Sequence, residues 1–173
     1  MPVTSGESIF IAKSWLEGFG ASLERKDIPS LTSHLFPYGW FRDNLVFTWN
    51  HRSLCGESIA EYLSSNFDKV DISNVKLDDT WETNFSPERN ILESAFTLET
   101  SIAYGRGLVM LQPDETGGWK ALSVYMTMVD LKGHEEMGPE SGYYDNHGKT
   151  WNEVFAERKE RIESDPHVVI SKS

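Results

Sequence analysis

Arg42 and Asp43 stand side by side within an aromatic stretch, flanked by Trp40, Phe41, Leu45 and Phe47. In an apolar wall a guanidinium polarises a carbonyl or alkoxide, and a neighbouring carboxylate orients it or takes a proton. The same two residues serve equally as a structural ion pair, or are split across the two faces of a strand. Asp130 closes the run Tyr125, Met126, Thr127, Met128, Val129. A carboxylate there is either a general acid or base at a pocket mouth or a solvated strand end. Tyr104 and Tyr125 offer hydroxyls to a substrate oxygen. Tyr125 is otherwise core or pocket wall, and Tyr104, preceding Gly105, belongs otherwise to a turn or bulge. His51 is an acid–base candidate or a solvated turn residue. Asp79 and Trp81 read as sharing a strand face, where an acid beside an aromatic ring steadies a cation or an acidic edge resists aggregation. Trp49 and Phe96 read as core or pocket wall.

Chemistry of this kind needs a scaffold. Thr4 and Glu7 have the spacing of a capping box, and Ile9, Ala12, Leu16, Phe19 and Leu23 recur on one helical face. Asp27 caps a second helix with Pro29 in its first turn, which Pro37, Tyr38 and Gly39 stop. Trp40 to Trp49 reads as a strand, Asn50 and His51 as a turn, and Arg52 to Cys55 as a return strand. Gly56 leads into a third helix with Ile59, Ala60, Leu63 and Phe67 on its apolar stripe. Val75 to Phe85 reads as a strand interrupted by Asp78 and Asp79. In Ile91 to Ala103, Leu92, Ser94, Phe96, Leu98 and Thr100 share one face. Arg106 to Leu111, a turn over 113–118 and Trp119 to Leu131 complete a meander. Helices followed by long antiparallel strands are an α+β order. Residues 1–132 form the expected domain. Residues 133–173 form a linker-like tail, a loop and then a charged helix over Asn152 to Ile162, expected to pack on the domain or on a partner copy.

Composition narrows the function. The 173 residues carry 16 Lys+Arg against 27 Asp+Glu, a formal net charge of -11. That disfavours nucleic acid and anionic membrane surfaces, which require a basic face. Cys55 is the single cysteine, which excludes an internal disulfide and a multi-cysteine metal site. His34 on the second helix either faces the cavity or is a satisfied, partly buried histidine. His134, His147 and His167 lie in the tail, and His134 beside Glu135 and Glu136 lacks a second ligand cluster, so no metal is expected. No apolar run follows a basic N-terminal region, and no stretch approaches a membrane span, so a cytoplasmic setting is expected. No nucleophile elbow is present.

The element order from Ser8 to Leu131 resembles the cone-shaped α+β fold of the nuclear-transport-factor-2-like (SnoaL-like) superfamily, in which three helices pack on a curved, mainly antiparallel sheet. Trp40-Phe41-Arg42-Asp43, Leu45 to Trp49, Gly105-Arg106-Gly107, Gln112-Pro113-Asp114, Gly118-Trp119-Lys120-Ala121 and Leu131 to Glu136 resemble the N-terminal domain of fungal and bacterial flavin-containing monooxygenase-like proteins. Trp151 to Glu163 resembles their linker helix, and Asp165 to Ile170 the start of their nucleotide-binding strand. Ser171-Lys172-Ser173 stand where that family's glycine fingerprint belongs, so flavin and nicotinamide cofactors are not carried over.

Stand-alone members of the superfamily in fungal secondary metabolism are isomerases, cyclases, dehydratases and rearrangement catalysts, among them cofactor-free semipinacolases. The resemblance therefore implies a homodimeric, cofactor-independent isomerase-type enzyme acting on a natural-product small molecule. Arg42 is expected to stabilise negative charge, Asp43 or Asp130 to move the proton, and Tyr104 or Tyr125 to position a substrate held by Trp40, Trp49, His51, Trp81, Phe96 and Met128. The alternative is a non-catalytic ligand-binding or dimerisation domain.

Overall fold

The computed structural model describes residues 4–135 and 150–164. Contacts divide the chain into two units, Met1–Lys132 and Gly133–Ser173. Most of the expected loop over 133–148, His147, His167 and the strand-like start at Asp165 lie outside the described residues. In the second unit α4, Trp151–Ser164, begins at a capping box not foreseen from sequence. The Glu153 carboxylate accepts the Thr150 N–H at 2.6 Å and the Thr150 hydroxyl accepts the Glu153 N–H at 3.4 Å.

In the first unit α1 spans Ser5–Glu24. Its first turn is closed as its sequence predicts: Thr4 Oγ1 accepts the Glu7 N–H, and the Glu7 carboxylate accepts the Thr4 N–H at 2.8 Å. The Thr4 N–H and the Thr4 hydroxyl both donate to the Glu7 carboxylate and hold it below the usual carboxylate range. Ala12, Trp15, Leu16, Phe19 and Leu23 are buried, while Ile9 lies at the solvent margin. Helix α2, Ile28–Ser33, starts at Asp27, whose carboxylate accepts the Ser30 N–H at 3.1 Å. Helix α3 spans Glu57–Asn66 and continues into a tight turn over Phe67–Lys69.

The strands are β1 Leu35–Asn44, β2 His51–Cys55, β3 Ile72–Leu77, β4 Asn84–Ser86, β5 Ile91–Thr100, β6 Ala103–Pro113 and β7 Trp119–Leu131. Among the described residues they form a seven-stranded sheet in the order β2-β1-β7-β6-β5-β3, with β4 also paired to β5. Only β1 and β7 pair in parallel, which brings the ends of both strands to the same end of the sheet, Asn44 beside Thr127. The α+β class and the cone-type arrangement of helices on a curved sheet are as expected.

Several boundaries differ from the sequence reading: Ala103 opens β6 rather than closing β5, and β1, β2 and β3 shift as well. Strand β1 starts at Leu35, through Pro37 and Gly39, because its register with β7 slips between Leu35 and Trp40 and asks no N–H of the proline. It ends at Asn44, short of Trp49. There Leu45 turns left-handed, with φ 69°, and the Asp43 carboxylate takes the Val46 and Phe47 N–H groups. The expected strand from Val75 to Phe85 breaks at Asp78, whose carboxylate accepts the Thr80 N–H at 2.9 Å and hydroxyl at 2.6 Å, closing a turn. Asp79 and Trp81 therefore share no strand face. His51, read as a turn residue, opens β2 opposite Asn44.

The sheet has one closed face. Leu92, Ser94, Phe96, Leu98 and Thr100 of β5 all point inward and are buried. Phe96 meets Phe19 of α1 edge-to-face, ring centres 6.3 Å apart. Its ring rests on Gly107 of β6, where a Cβ would overlap the Phe96 ring. Only glycine admits so close an approach.

Candidate functional site

Phe96 occupies the interior under β5 and β6. A cavity of about 380 Å³ opens at the end of the sheet where β1 stops. Leu45, Val46, Phe47 and Trp49 form one wall, Ile102 and Met128 another, and Asn66, Lys69 and Val70 a third. Its size lies within the usual range for small-molecule sites, which runs from about 300 to 1,000 Å³.

The first wall is built by Asp43. Adjacent residues of a strand point to opposite faces, so Arg42 and Asp43 part company. Asp43 is fully buried. Its Oδ1 accepts the Val46 N–H at 2.9 Å and the Phe47 N–H at 3.2 Å, and its Oδ2 accepts the Tyr62 hydroxyl at 2.6 Å. A buried carboxylate is tolerated because these donors replace its hydration. Burial and the hydrogen bond to Asp43 push the Tyr62 hydroxyl up to about 12, so it remains a donor across the ordinary pH range. Thr48 Oγ1 lies 3.3 Å from the Tyr62 oxygen. The Phe47 ring is held edge-on by Tyr62 and Phe67. Asp43 and Tyr62 thus fix the left-handed turn at Leu45 and, through it, the cavity wall.

The polar end of the cavity is set by α3. Asn66, at its last turn, donates from Nδ2 to the Tyr62 carbonyl at 2.8 Å. Its Oδ1 accepts from Lys69 Nζ at 3.0 Å. Lys69 is the one ionisable side chain among the residues lining this cavity.

A second, smaller cavity of about 200 Å³ lies on the outer face of the sheet. Ala95, Leu108, Tyr125 and Thr127 form its floor, Trp81 one side, and Arg106 and Asp78 its polar margin. The turn over 78–83 carries Asp78 and Trp81 beside the edge of β5, anchored by the Asp78 N–H on the Ala95 carbonyl. Arg106 Nη2 lies 3.0 Å from Asp78 Oδ2 and donates to Thr80 Oγ1 at 3.1 Å. The hydroxyl and N–H of Thr80, with Arg106 beyond them, hold the Asp78 carboxyl below the usual carboxylate range.

The residues singled out from sequence are distributed as follows. Trp49 and Met128 line the end cavity, and Trp81 and Tyr125 the outer one. Asp43 stands behind the end-cavity wall. Arg42 is exposed on the outer face, opposite Tyr125 in register, with its Nε donating to Ser53 Oγ at 2.9 Å. Trp40 is exposed on the same face. Asp130 is partly buried opposite Tyr104, beyond an irregularity in the β6–β7 register at Tyr104 and Gly105. Lys132 Nζ lies 5.2 Å from the Tyr104 ring centre. His51 is exposed, and Phe96 belongs to the core. His34 packs edge-on to Trp15 and Phe19, and burial lowers its pKa. Arg42 and Asp130 line neither cavity.

Asn66, Lys69, Tyr62, Asp78 and Arg106 were not singled out. The visible signals were slight: an Asn and a Lys three apart at a helix end, an Asp-x-Thr turn sequence, and an arginine alternating with Leu108 and Met110. Among the described residues no three His, Cys, Asp or Glu side chains cluster as a metal site, and no helix is long and apolar enough to cross a membrane.

No protein-family model and no curated protein matches the sequence. Solved structures do match in fold. A ketosteroid isomerase-like protein from Erwinia carotovora atroseptica superposes with a TM-score of 0.58 at 14% identity, over 72% of this chain and 98% of that one. A domain of unknown function with a cystatin-like fold from Nostoc punctiforme gives 0.57 at 12% identity, over 93% and 98%. An NTF2-like protein from Cytophaga hutchinsonii gives 0.51 at 14% identity, over 67% and 93%. At such identities the likeness is one of fold, and the chain has the cone-shaped α+β fold of nuclear-transport-factor-2-like proteins.

Proposed function

We propose that the protein takes up a neutral, ring-containing small molecule in the end cavity and isomerises it without a cofactor. The observation that carries this reading is an apolar cavity of about 380 Å³ whose one ionisable lining residue, Lys69, is held in place by Asn66. A few placed polar groups in an apolar wall are what orient a small ligand. The ketosteroid isomerase-like neighbour makes redox-neutral chemistry a natural use of this fold.

The finer reading is a semipinacol-type rearrangement of a natural-product intermediate, as in fungal secondary metabolism. A single proton-bearing group suffices for such a step. Lys69 Nζ gives a proton to the oxygen of an opening epoxide. A carbon–carbon bond breaks and re-forms at the adjacent carbon. The neighbouring hydroxyl becomes a carbonyl and returns its proton to Lys69. Nothing is oxidised or reduced, and the product is an isomer of the substrate. Asp43 and Tyr62 are positioning residues in this scheme, acting through Val46 and Phe47.

The test uses a tertiary aryl 2,3-epoxy alcohol. Binding is followed by quenching of tryptophan fluorescence, to which the cavity-lining Trp49 contributes, and turnover by appearance of a carbonyl product of unchanged mass. Lys69→Met is expected to slow conversion by about tenfold or more, with binding largely kept. Absence of both quenching and conversion sinks the reading.

Quenching without conversion would favour a second one, a non-catalytic ligand-binding or dimerisation domain. The exposed Trp40, Leu108 and Met110 on the outer face of the sheet support that alternative.

A further inference from the structure

The outer cavity has no part in the proposed reaction, yet its walls are unusual for a solvated sheet face. Trp81 is 54% exposed and Leu108 43% exposed, and both line the cavity together with Ala95. Two hydrogen-bond donors reach its margin unspent. Arg106 uses Nη2 on Asp78 and Thr80, and no described residue accepts from its Nε or Nη1. Tyr125 accepts from Asn44 Nδ2 at 3.2 Å, and no described residue accepts its own proton. Arg106 lies opposite Thr127 and Leu108 opposite Tyr125, so the two donors are diagonal neighbours on adjacent strands.

We propose that this slot is a second binding site, for a planar aromatic group carrying a neutral acceptor such as an amide or ketone carbonyl. The apolar walls take the ring, with Trp81 supplying a large aromatic surface. The carbonyl oxygen accepts from Arg106 and Tyr125. Neutrality follows from Asp78, which is 5% exposed and already paired to Arg106. Among the lining residues Arg106 and Asp78 cancel, and an incoming carboxylate would meet the Asp78 carboxylate at the same guanidinium. A volume of about 200 Å³ accommodates one ring with a short substituent.

The test is a titration of the full chain with benzamide, with benzoate as the charged isostere, read by amide and indole N–H chemical shifts. Benzamide is expected to shift the Trp81 indole and the backbone amides of Arg106 and Leu108, and benzoate to bind more weakly. Trp81→Ala should weaken benzamide by about tenfold, and Asp78→Asn, which removes the carboxylate charge beside Arg106, should abolish the preference for benzamide over benzoate. Trp49→Ala, at the end cavity, should leave benzamide binding unchanged, which separates this site from the proposed reaction. Three results would overturn the proposal: no shifts at these residues, shifts that persist unchanged in Trp81→Ala, or tighter binding of benzoate. Exclusion of the probe by self-association through this face would overturn it as well.

Discussion

On one side of strands β5 and β6 the sheet is sealed, and on the other it is open. Inward, the Phe96 ring presses on Gly107 and meets Phe19 of α1 edge-to-face. Outward, the next residues along, Ala95 and Leu108, leave a slot beside Trp81. The backbone is common to both faces. The placement of a large residue over a glycine closes one, and a small residue beside a projecting turn opens the other. A cone fold does not by itself fix where its cavity lies. Side-chain volume does, and here it shifts the interior space to the end of the sheet, where Asp43 shapes the wall.

The sharpest way to break this contrast is Phe96→Ala. Emptying the sealed face should cost about 4 kcal/mol, read as a lowered urea midpoint. A loss below about 1 kcal/mol would mean that the inner face is not close-packed. Asp43→Ala comes next. It strands the Val46 and Phe47 N–H groups and the Tyr62 hydroxyl, at a cost of about 3 kcal/mol, and should also abolish ligand-induced quenching at the end cavity. Tyr62→Phe removes one charge-assisted bond and should cost about 1.5 kcal/mol.

That variant also isolates a pH effect. The Tyr62 hydroxyl ionises near 10.0 when exposed and at about 12 when folded. Between those values the unfolded chain has released its proton and the folded chain has not, so this contribution is intact below pH 10 and lost as pH rises toward 12. The urea midpoint of the native chain should therefore fall more steeply over that window than that of Tyr62→Phe. Equal slopes would remove the Tyr62–Asp43 bond from the account. Smallest of all, Leu108→Ala on the open face should change stability by less than about 0.5 kcal/mol while weakening benzamide binding.

Legibility in the sequence followed the range of the interactions. Helix α1 was readable to its cap, because Thr4 and Glu7 are neighbours and the box they form is local. The inward set of β5 was readable from alternation alone. Strand β1 was displaced at both ends, because a register slip beside β7 and the capture of two N–H groups by Asp43 replace what propensity suggests. The break at Asp78 was half visible: the acids weakened the strand pattern, and only the geometry shows Asp78 bonding Thr80 and Arg106. Arg42 and Asp43 are charges set among aromatic residues in the sequence. The structure gives them separate surroundings, one on the surface beside Ser53 and one buried under the cavity wall.

The sequence by itself determined the class of fold, most of the buried faces and the starts of α1 and α2, since periodicity and capping depend on residues within a few positions of one another. Only the tertiary structure decided where space remains and which polar groups border it. Lys69 and Met128 meet across the end cavity, and Trp81, Arg106 and Tyr125 around the outer one, through a parallel β1–β7 pairing and a projecting turn. Cavities are what packing leaves over, so they depend on distant side-chain volumes that no local pattern records.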